Sequence, residues 1–267
     1  MRREASSGFA DLKVPSRSKR NDRSSELELM REAGRIVAFA VNETAGAVVP
    51  GVSTRELDAI ARQAIEARGA RPAFLGLYGF PATACISINE EIVHGIPGER
   101  IVGDGDLVSI DCGAIAGRMY SDHAVTVVAG RSGALQERLV EACKAALEAG
   151  IAEARPGNRV GDISHAIEKK TVSFGFVPVR EYTGHGIGRR LHEPPDVPNL
   201  GPAGRGPLLR EGMYLAIEPI VAAGGWQTRL QDDGWTVVTA DGSLSAHYEH
   251  TVAILADGPE VLTSQAG

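Results

Sequence analysis

The stretch Ile110-Asp111-Cys112-Gly113-Ala114-Ile115-Ala116-Gly117-Arg118-Met119-Tyr120-Ser121-Asp122 is the one on which the rest of the chain turns. Leu107 to Asp111 and Ala124 to Val128 are short β-branched runs, and Ala116-Gly117 between them offers a residue suited to positive φ in a tight turn. The spacing predicts a hairpin. A turn centred on 116 and 117 sets Asp111 opposite Asp122, with their Cβ atoms about 4.5–5.5 Å apart on one face. Carboxylates that close repel unless they share a proton or a cation lies between them. The plain alternative is a pair of solvated Asp at an exposed hairpin end, and the pair alone does not decide.

Working outward, the chain repeats a plan. Ser25-Glu26-Leu27-Glu28 has the form of a capping box, opening a helix whose apolar face carries Leu29, Ala33, Ile36, Val37, Ala40 and Val41 until Pro50-Gly51 halts it. Ser53-Thr54-Arg55-Glu56 opens a second helix that runs toward Gly69. A third helix from about Ser132 stops at Pro156-Gly157, and a fourth ends at Gly175. Gly51 to Gly69 and Gly157 to Gly175 each span 18 positions, with an offset of 106 between copies. We read two similar α+β halves about a pseudo-two-fold axis, sharing a central sheet with a cleft between them. Further strands are expected at 84–89, 92–93, 177–179, 214–218, 235–239 and 247–255, and Arg190 to Arg210, rich in Pro and Gly, reads as a long irregular connection.

Composition narrows the function classes. The chain has 267 residues, 43% of them apolar, enough for a substantial core, and no run reaches the roughly 18 apolar residues of a membrane span. Three cysteines without C-x-x-C spacing suggest neither a disulfide framework nor a structural zinc site. The net charge of −6 hides an asymmetry, because residues 1–23 carry seven Lys or Arg against three acids. Residues 1–24 therefore read as a disordered basic leader and 25–267 as one domain, in a cytoplasmic protein whose leader is compatible with a weak contact to RNA.

Three more stretches hold candidate ligands. In Thr183-Gly184-His185-Gly186-Ile187-Gly188, glycines flank His185 and let the backbone approach a ligand; Arg189 excludes a dinucleotide fingerprint. Glu218 interrupts an apolar strand just before Pro219, which holds it in extended geometry. Glu249 and His250 fall on opposite faces of a strand, so one of them points inward. Asp111, Asp122, His185, Glu218 and Glu249 make one imidazole and four carboxylates. That set balances two divalent cations of the Mn, Fe, Co or Zn kind, the arrangement of two-metal hydrolases.

With these motifs in view, the chain resembles the bacterial type I methionine aminopeptidases from about Glu26 to Leu255. The resemblance rests on an ordered series: Cys85-Ile86-Ser87-Ile88-Asn89-Glu90, His94-Gly95-Ile96-Pro97, Ser109-Ile110-Asp111, Ser121-Asp122, Gly184 to Gly188, His192-Glu193, Ile217-Glu218-Pro219 and Tyr248-Glu249-His250-Thr251. It implies the α+β pita-bread fold and removal of the initiator methionine from nascent polypeptides when the next residue is small, by attack of a metal-bridged hydroxide on the first peptide carbonyl. It implies that Asp111 chelates one metal, that Asp122 and Glu249 bridge both, and that His185 and Glu218 complete the second. Glu218 would also shuttle the proton, and His94 and His192 would hold the substrate and stabilise its reacting carbonyl. The methionine pocket would consist of Phe74, Leu77, Phe80, Cys85, Leu191 and Trp235. Leu77 and Leu191 replace the family's tyrosine and phenylalanine, which implies a looser fit. A monomer is expected, with ribosome contact through the leader. Xaa-Pro peptidases are the alternative, though they usually carry an extra N-terminal domain and about 25 residues precede the first helix here. A catalytically silent scaffold is disfavoured because all five ligand positions are filled.

Overall fold

The central hairpin is longer than its β-branched runs. In the computed structural model, which describes residues 17–264 and their side chains from 25 onward, its strands are Leu107–Ala116 and Met119–Val128. Ala116 pairs with Met119 around Gly117-Arg118, and Gly117, at φ 57°, takes the first central position where a two-residue hairpin loop accepts glycine. The turn is thus one residue later than expected. Asp111 pairs with Ala124 and Asp122 with Gly113, so the two aspartates are diagonal neighbours rather than opposite ones. A register shift of two positions preserves the face, because side chains alternate with a period of two, and both carboxylates still point the same way.

Four helices follow the repeat. They are α1 (Arg17–Gly46), α2 (Thr54–Glu66), α3 (Ala134–Ala152) and α4 (Val160–Ser173). The ends of α1 and α3, and the starts of α2 and α4, are each offset by the same 106 residues as the glycine pairs. Gly51, Gly157, Gly69 and Gly175 all have positive φ, so the punctuation of one half is copied in the other. Ser53 caps α2 as expected, its hydroxyl accepting from the Glu56 N–H while the Glu56 carboxylate accepts from the Ser53 N–H. Ser25 does not cap α1. The helix runs through it from Arg17, since residues 17–24 contain no Gly or Pro to stop it and are rich in Arg and Lys, which are good helix formers. Residues 1–16 of the expected leader lie outside the described residues.

Each helix pair covers one half of a nine-stranded, antiparallel sheet. In the first half Ile36, Val37, Leu57 and Ile65 pack on Ile86, Val108, Ile110 and Ala114; in the second Leu147, Ile163 and Ile167 pack on Leu215, Ile217, Val252 and Ile254. The even positions of 107–116 therefore face helices. The odd ones face the opposite surface of the sheet, where the cleft lies. The sheet continues from Met119–Val128 through Glu249–Leu255 and Tyr214–Ile217 to Gly184–Gly186 and, at its edge, Glu193–Val197. That last strand corrects the expectation of an irregular 190–210. Pro194 and Pro195 argued against a strand, yet proline is tolerated at a sheet edge, where a missing N–H leaves nothing unpaired. The expected 247–255 strand breaks at Tyr248 into Ser245–His247, which joins a small sheet with Ile220–Ala222 and Val177–Pro178, and Glu249–Leu255. No described helix is long and apolar enough to cross a membrane.

Candidate active site

Three buried side chains, Asp122, His185 and Glu249, bring one ligand atom each within 4.8 Å of the others, the sort of cluster a metal ion needs among the described residues. Asp122 and His185 sit three strands apart, which would be about 14 Å in a flat sheet. The curl of the sheet and the inward reach of the side chains close that gap. Asp111 and Glu249 both lie opposite Ala124, one from each side, so they share a row across the sheet. Glu218 follows the end of the Tyr214–Ile217 strand, and its Oε1 is 3.7 Å from His185 Nε2.

The backbone around these groups is held firmly. Thr251 Oγ1 accepts from the Asp122 N–H at 2.9 Å and donates to the Asp122 carbonyl at 2.8 Å, clasping that residue from both sides. His123 donates from Nδ1 to the Glu249 carbonyl at 2.6 Å. His185 donates from Nδ1 to the Gly186 carbonyl at 2.9 Å, which fixes the ring and turns Nε2 toward Glu218. A Cβ on Gly184 would lie 2.4 Å from the Ala216 carbonyl oxygen, and one on Gly186 2.4 Å from that of Pro194, so only glycine lets the neighbouring strands flank His185 this closely.

The electrostatics fit divalent cations. Burial and the charges of Asp111 and Glu218 push Asp122 well above the usual carboxylate range. Burial, with Asp122 beside it, does the same to Glu249, while burial lifts Asp111 to about 7 against the pull of His247. Asp111 Oδ1 and Glu249 Oε1 are buried with no hydrogen-bond partner. Unpaired buried carboxylates are costly, and positive charge among them removes both the repulsion and the unmet acceptors.

His94 and His192 line the same cavity, whose volume is about 400 Å³. Burial drives His94 below the ordinary imidazole range, and burial with the nearby His185 takes His192 down to about 4. Both rings are neutral at pH 7, each able to donate one N–H. His94 has φ 60°, a backbone conformation that a non-glycine residue holds only where its surroundings impose it.

At the other end the cavity is apolar. Phe74, Phe80, Cys85 and Leu191 are buried in one cluster with half-buried Leu77 and Trp235 packed against it, and Phe80 meets Trp235 edge-on at 5.1 Å between ring centres. All thirteen site residues expected from the sequence line this one cavity. It also takes in Tyr78, Val93, Tyr182, Thr183 and Asp196, which sequence reasoning passed over. Tyr78, at φ 51° and stacked over His192 at 6.2 Å, places an aromatic ring at the mouth beside Leu77. Its position next to Leu77 in the same Gly-rich stretch was the available signal.

Comparison with known proteins agrees with this geometry. The sequence profile of metallopeptidase family M24 matches residues 28–256. A methionine aminopeptidase of Clostridium perfringens is 50% identical over 238 residues, covering 89% of this chain and 96% of that protein. The crystal structure of methionine aminopeptidase from Thermotoga maritima superposes with a TM-score of 0.89 at 41% identity, covering 96% of this chain and all of that one. A prolidase from Pyrococcus horikoshii, at 24% identity and a TM-score of 0.74, shares the fold over 90% of this chain and 62% of its own. With its duplicated halves, its antiparallel sheet and a buried carboxylate–histidine cluster in the cleft, this chain belongs to metallopeptidase family M24 and has the pita-bread fold.

Proposed function

We propose that this chain is a methionine aminopeptidase that removes the N-terminal methionine of nascent proteins when the next residue is small. The observation that carries the reading is the cavity itself, with carboxylates and histidines at one end and the Phe74–Phe80–Trp235 pocket at the other. Identity near one half to relatives bearing that name supports it.

Asp111, Asp122, His185, Glu218 and Glu249 would hold two divalent cations, and Asp122, His185 and Glu249 are near enough to one another to share one. Cations bound there supply Lewis acidity and lower the pKa of water. The chain's own residues do the rest. The apolar pocket takes the methionine side chain, whose flexible thioether suits walls of mixed shape. His94 and His192, neutral and N–H-bearing, donate to the oxygen of the first peptide carbonyl as negative charge grows on it. Glu218 takes a proton from the attacking water at a carboxylate oxygen and passes it to the leaving amine nitrogen.

The deciding experiment is hydrolysis of Met-Ala-Ser, Met-Pro and Xaa-Pro peptides with Mn, Co, Fe and Zn in turn. Release of methionine from Met-Ala-Ser is expected, lost with a chelator and restored by a divalent ion. Preference for Xaa-Pro substrates would instead assign a prolidase-like activity, and activity in fully metal-free protein would overturn the reading. The enzyme is further proposed to act as a cytoplasmic monomer, checked by light scattering. Its basic residues 1–23 are proposed to touch the ribosome, and co-sedimentation that fails to weaken with salt would reject this contact.

A further inference from the structure

Two buried imidazoles, His123 and His247, belong neither to the five candidate ligands nor to the two substrate histidines, and the His123 ring is already bonded to the Glu249 carbonyl. His247 is 1% exposed, its Nδ1 has no hydrogen-bond partner, and its Nε2 has only the Glu218 carboxylate, at the long distance of 3.4 Å. A polar ring in that state is costly, so its position calls for a cause. Its backbone is tightly held. The His247 N–H donates to Thr126 Oγ1 at 2.8 Å, and the Thr126 hydroxyl donates back to the His247 carbonyl at 2.8 Å. That hydroxyl hydrogen being spent, Ser109 is the donor in its own 2.8 Å contact with Thr126.

The register then aims the ring. His247 pairs with Ile220, so Glu218, two positions earlier across Pro219, is its diagonal neighbour. His247 Nε2 lies 3.4 Å from Glu218 Oε2, whereas Glu218 Oε1 faces His185 Nε2 at 3.7 Å. The two oxygens of one carboxylate thus face two imidazoles. Oε1 lies on the side of His185, whose ring belongs to the Asp122–His185–Glu249 cluster, and Oε2 on the side of His247.

We propose that His247 is a positioning residue that donates Nε2–H to Glu218 Oε2 and so holds Oε1 toward His185, in the orientation both cation binding and proton transfer require. The inference rests on the role given to Glu218 above. An apolar side chain of similar size fills the space but leaves the carboxylate free to rotate. A glutamine keeps an N–H donor at about the place of Nε2. Asparagine is one methylene too short.

The test uses the full-length protein and the variants His247→Leu, His247→Gln and His247→Asn. It measures kcat and KM for Met-Ala-Ser with Mn²⁺, the Mn²⁺ affinity of metal-stripped protein by calorimetry, and Tm. For His247→Leu we expect kcat and the affinity for one Mn²⁺ to fall by about 10–100-fold, the usual cost of losing a group that orients a ligand, with KM little changed. His247→Gln should restore most of both. Wild-type kcat and affinity in His247→Leu would make the ring a mere core filler and overturn the proposal. So would a His247→Gln variant as impaired as His247→Leu, which would point to direct ligation. If His247→Leu does not fold, Gln exceeding Asn supports the proposal and equality overturns it. Should the wild type cleave no methionyl peptide, the aminopeptidase reading fails, while the order of Mn²⁺ affinities still decides for or against His247.

Discussion

Glu218 shows how much a single residue is asked to do. Its carboxylate ends an apolar strand, and Pro219 and the imidazoles of His185 and His247 restrict its direction. Replacing it with glutamine keeps shape and removes the proton acceptor. We predict that Glu218→Gln lowers kcat by about 10²–10⁴-fold, the usual worth of a positioned general base, with a smaller change in KM. Steady-state kinetics at saturating Mn²⁺ check this, and a near-normal kcat would remove Glu218 from proton transfer. Leu191 is buried beside Phe74 and Phe80, and if it walls the methionine pocket, leucine there predicts a looser fit than phenylalanine would give. Methionine should be cleaved first and norleucine nearly as well. Because one methylene in an apolar pocket is worth only about 1–3 kcal/mol, Leu191→Phe should sharpen the methionine-over-leucine ratio of kcat/KM within that range. An unchanged ratio would show that Leu191 does not bound the side chain.

At the scale of elements, the hairpin and the Gly184–Gly186 strand carry the site because of where backbones approach. Gly186 is buried with the Pro194 carbonyl oxygen 2.4 Å from where a Cβ would stand. Gly186→Ala must push the Glu193–Val197 strand outward, at a cost of about 1–3 kcal/mol for an overpacked site. His185 moves with it. We therefore expect a lower Tm and weaker metal binding together; a fall in Tm with unaltered metal affinity would uncouple the strand from the site. The helices lie one step further back. They pack on the even-numbered residues of the hairpin strand, so they set its face without touching the cavity.

For the whole molecule, the buried carboxylates make stability depend on metal and on pH. Asp111, Asp122 and Glu249 have pKa values raised by burial in the folded state, Asp111 to about 7, against about 4 when unfolded. Between those values the native state binds more protons than the unfolded one, so stability falls as pH rises. Below about pH 6.5 the depressed histidines His94, His123, His192 and His250 oppose this slope, so the Tm of chelator-treated protein is predicted to drop from about pH 6.5 to about pH 7.5. Mn²⁺ should reverse that slope, since binding displaces the same protons and stabilises by about 2.7 kcal/mol at a hundredfold excess over Kd. A metal-free Tm that is flat or rising over this window would contradict the burial argument. The duplication sets the stage for the cluster. The first half supplies Asp111 and Asp122, the second His185, Glu218 and Glu249; of these, Asp122, His185 and Glu249 bring their ligand atoms within 4.8 Å of one another, and Asp111 and Glu218 line the same cavity.

Local chemistry alone was enough for much of this. The capping box at Ser53, the Pro-Gly stops and the constant offset of 106 announced the helices and the two halves, because caps and turns are settled within a few residues. Alternation was enough to put Asp111 and Asp122 on one face, since a period of two survives a shift of register by two. The hairpin pairs around Gly117-Arg118, and the short-range signal for it was the glycine itself, which suits the positive φ of the first central position as Ala116 would not. Tertiary structure decided what depends on partners distant in sequence. Glu193–Val197 is a strand only because the Gly184–Gly186 edge lies beside it. Tyr78 and His247 became legible last, as residues whose meaning lies in the rings and carboxylate they face, contacts that neither spacing nor composition encodes.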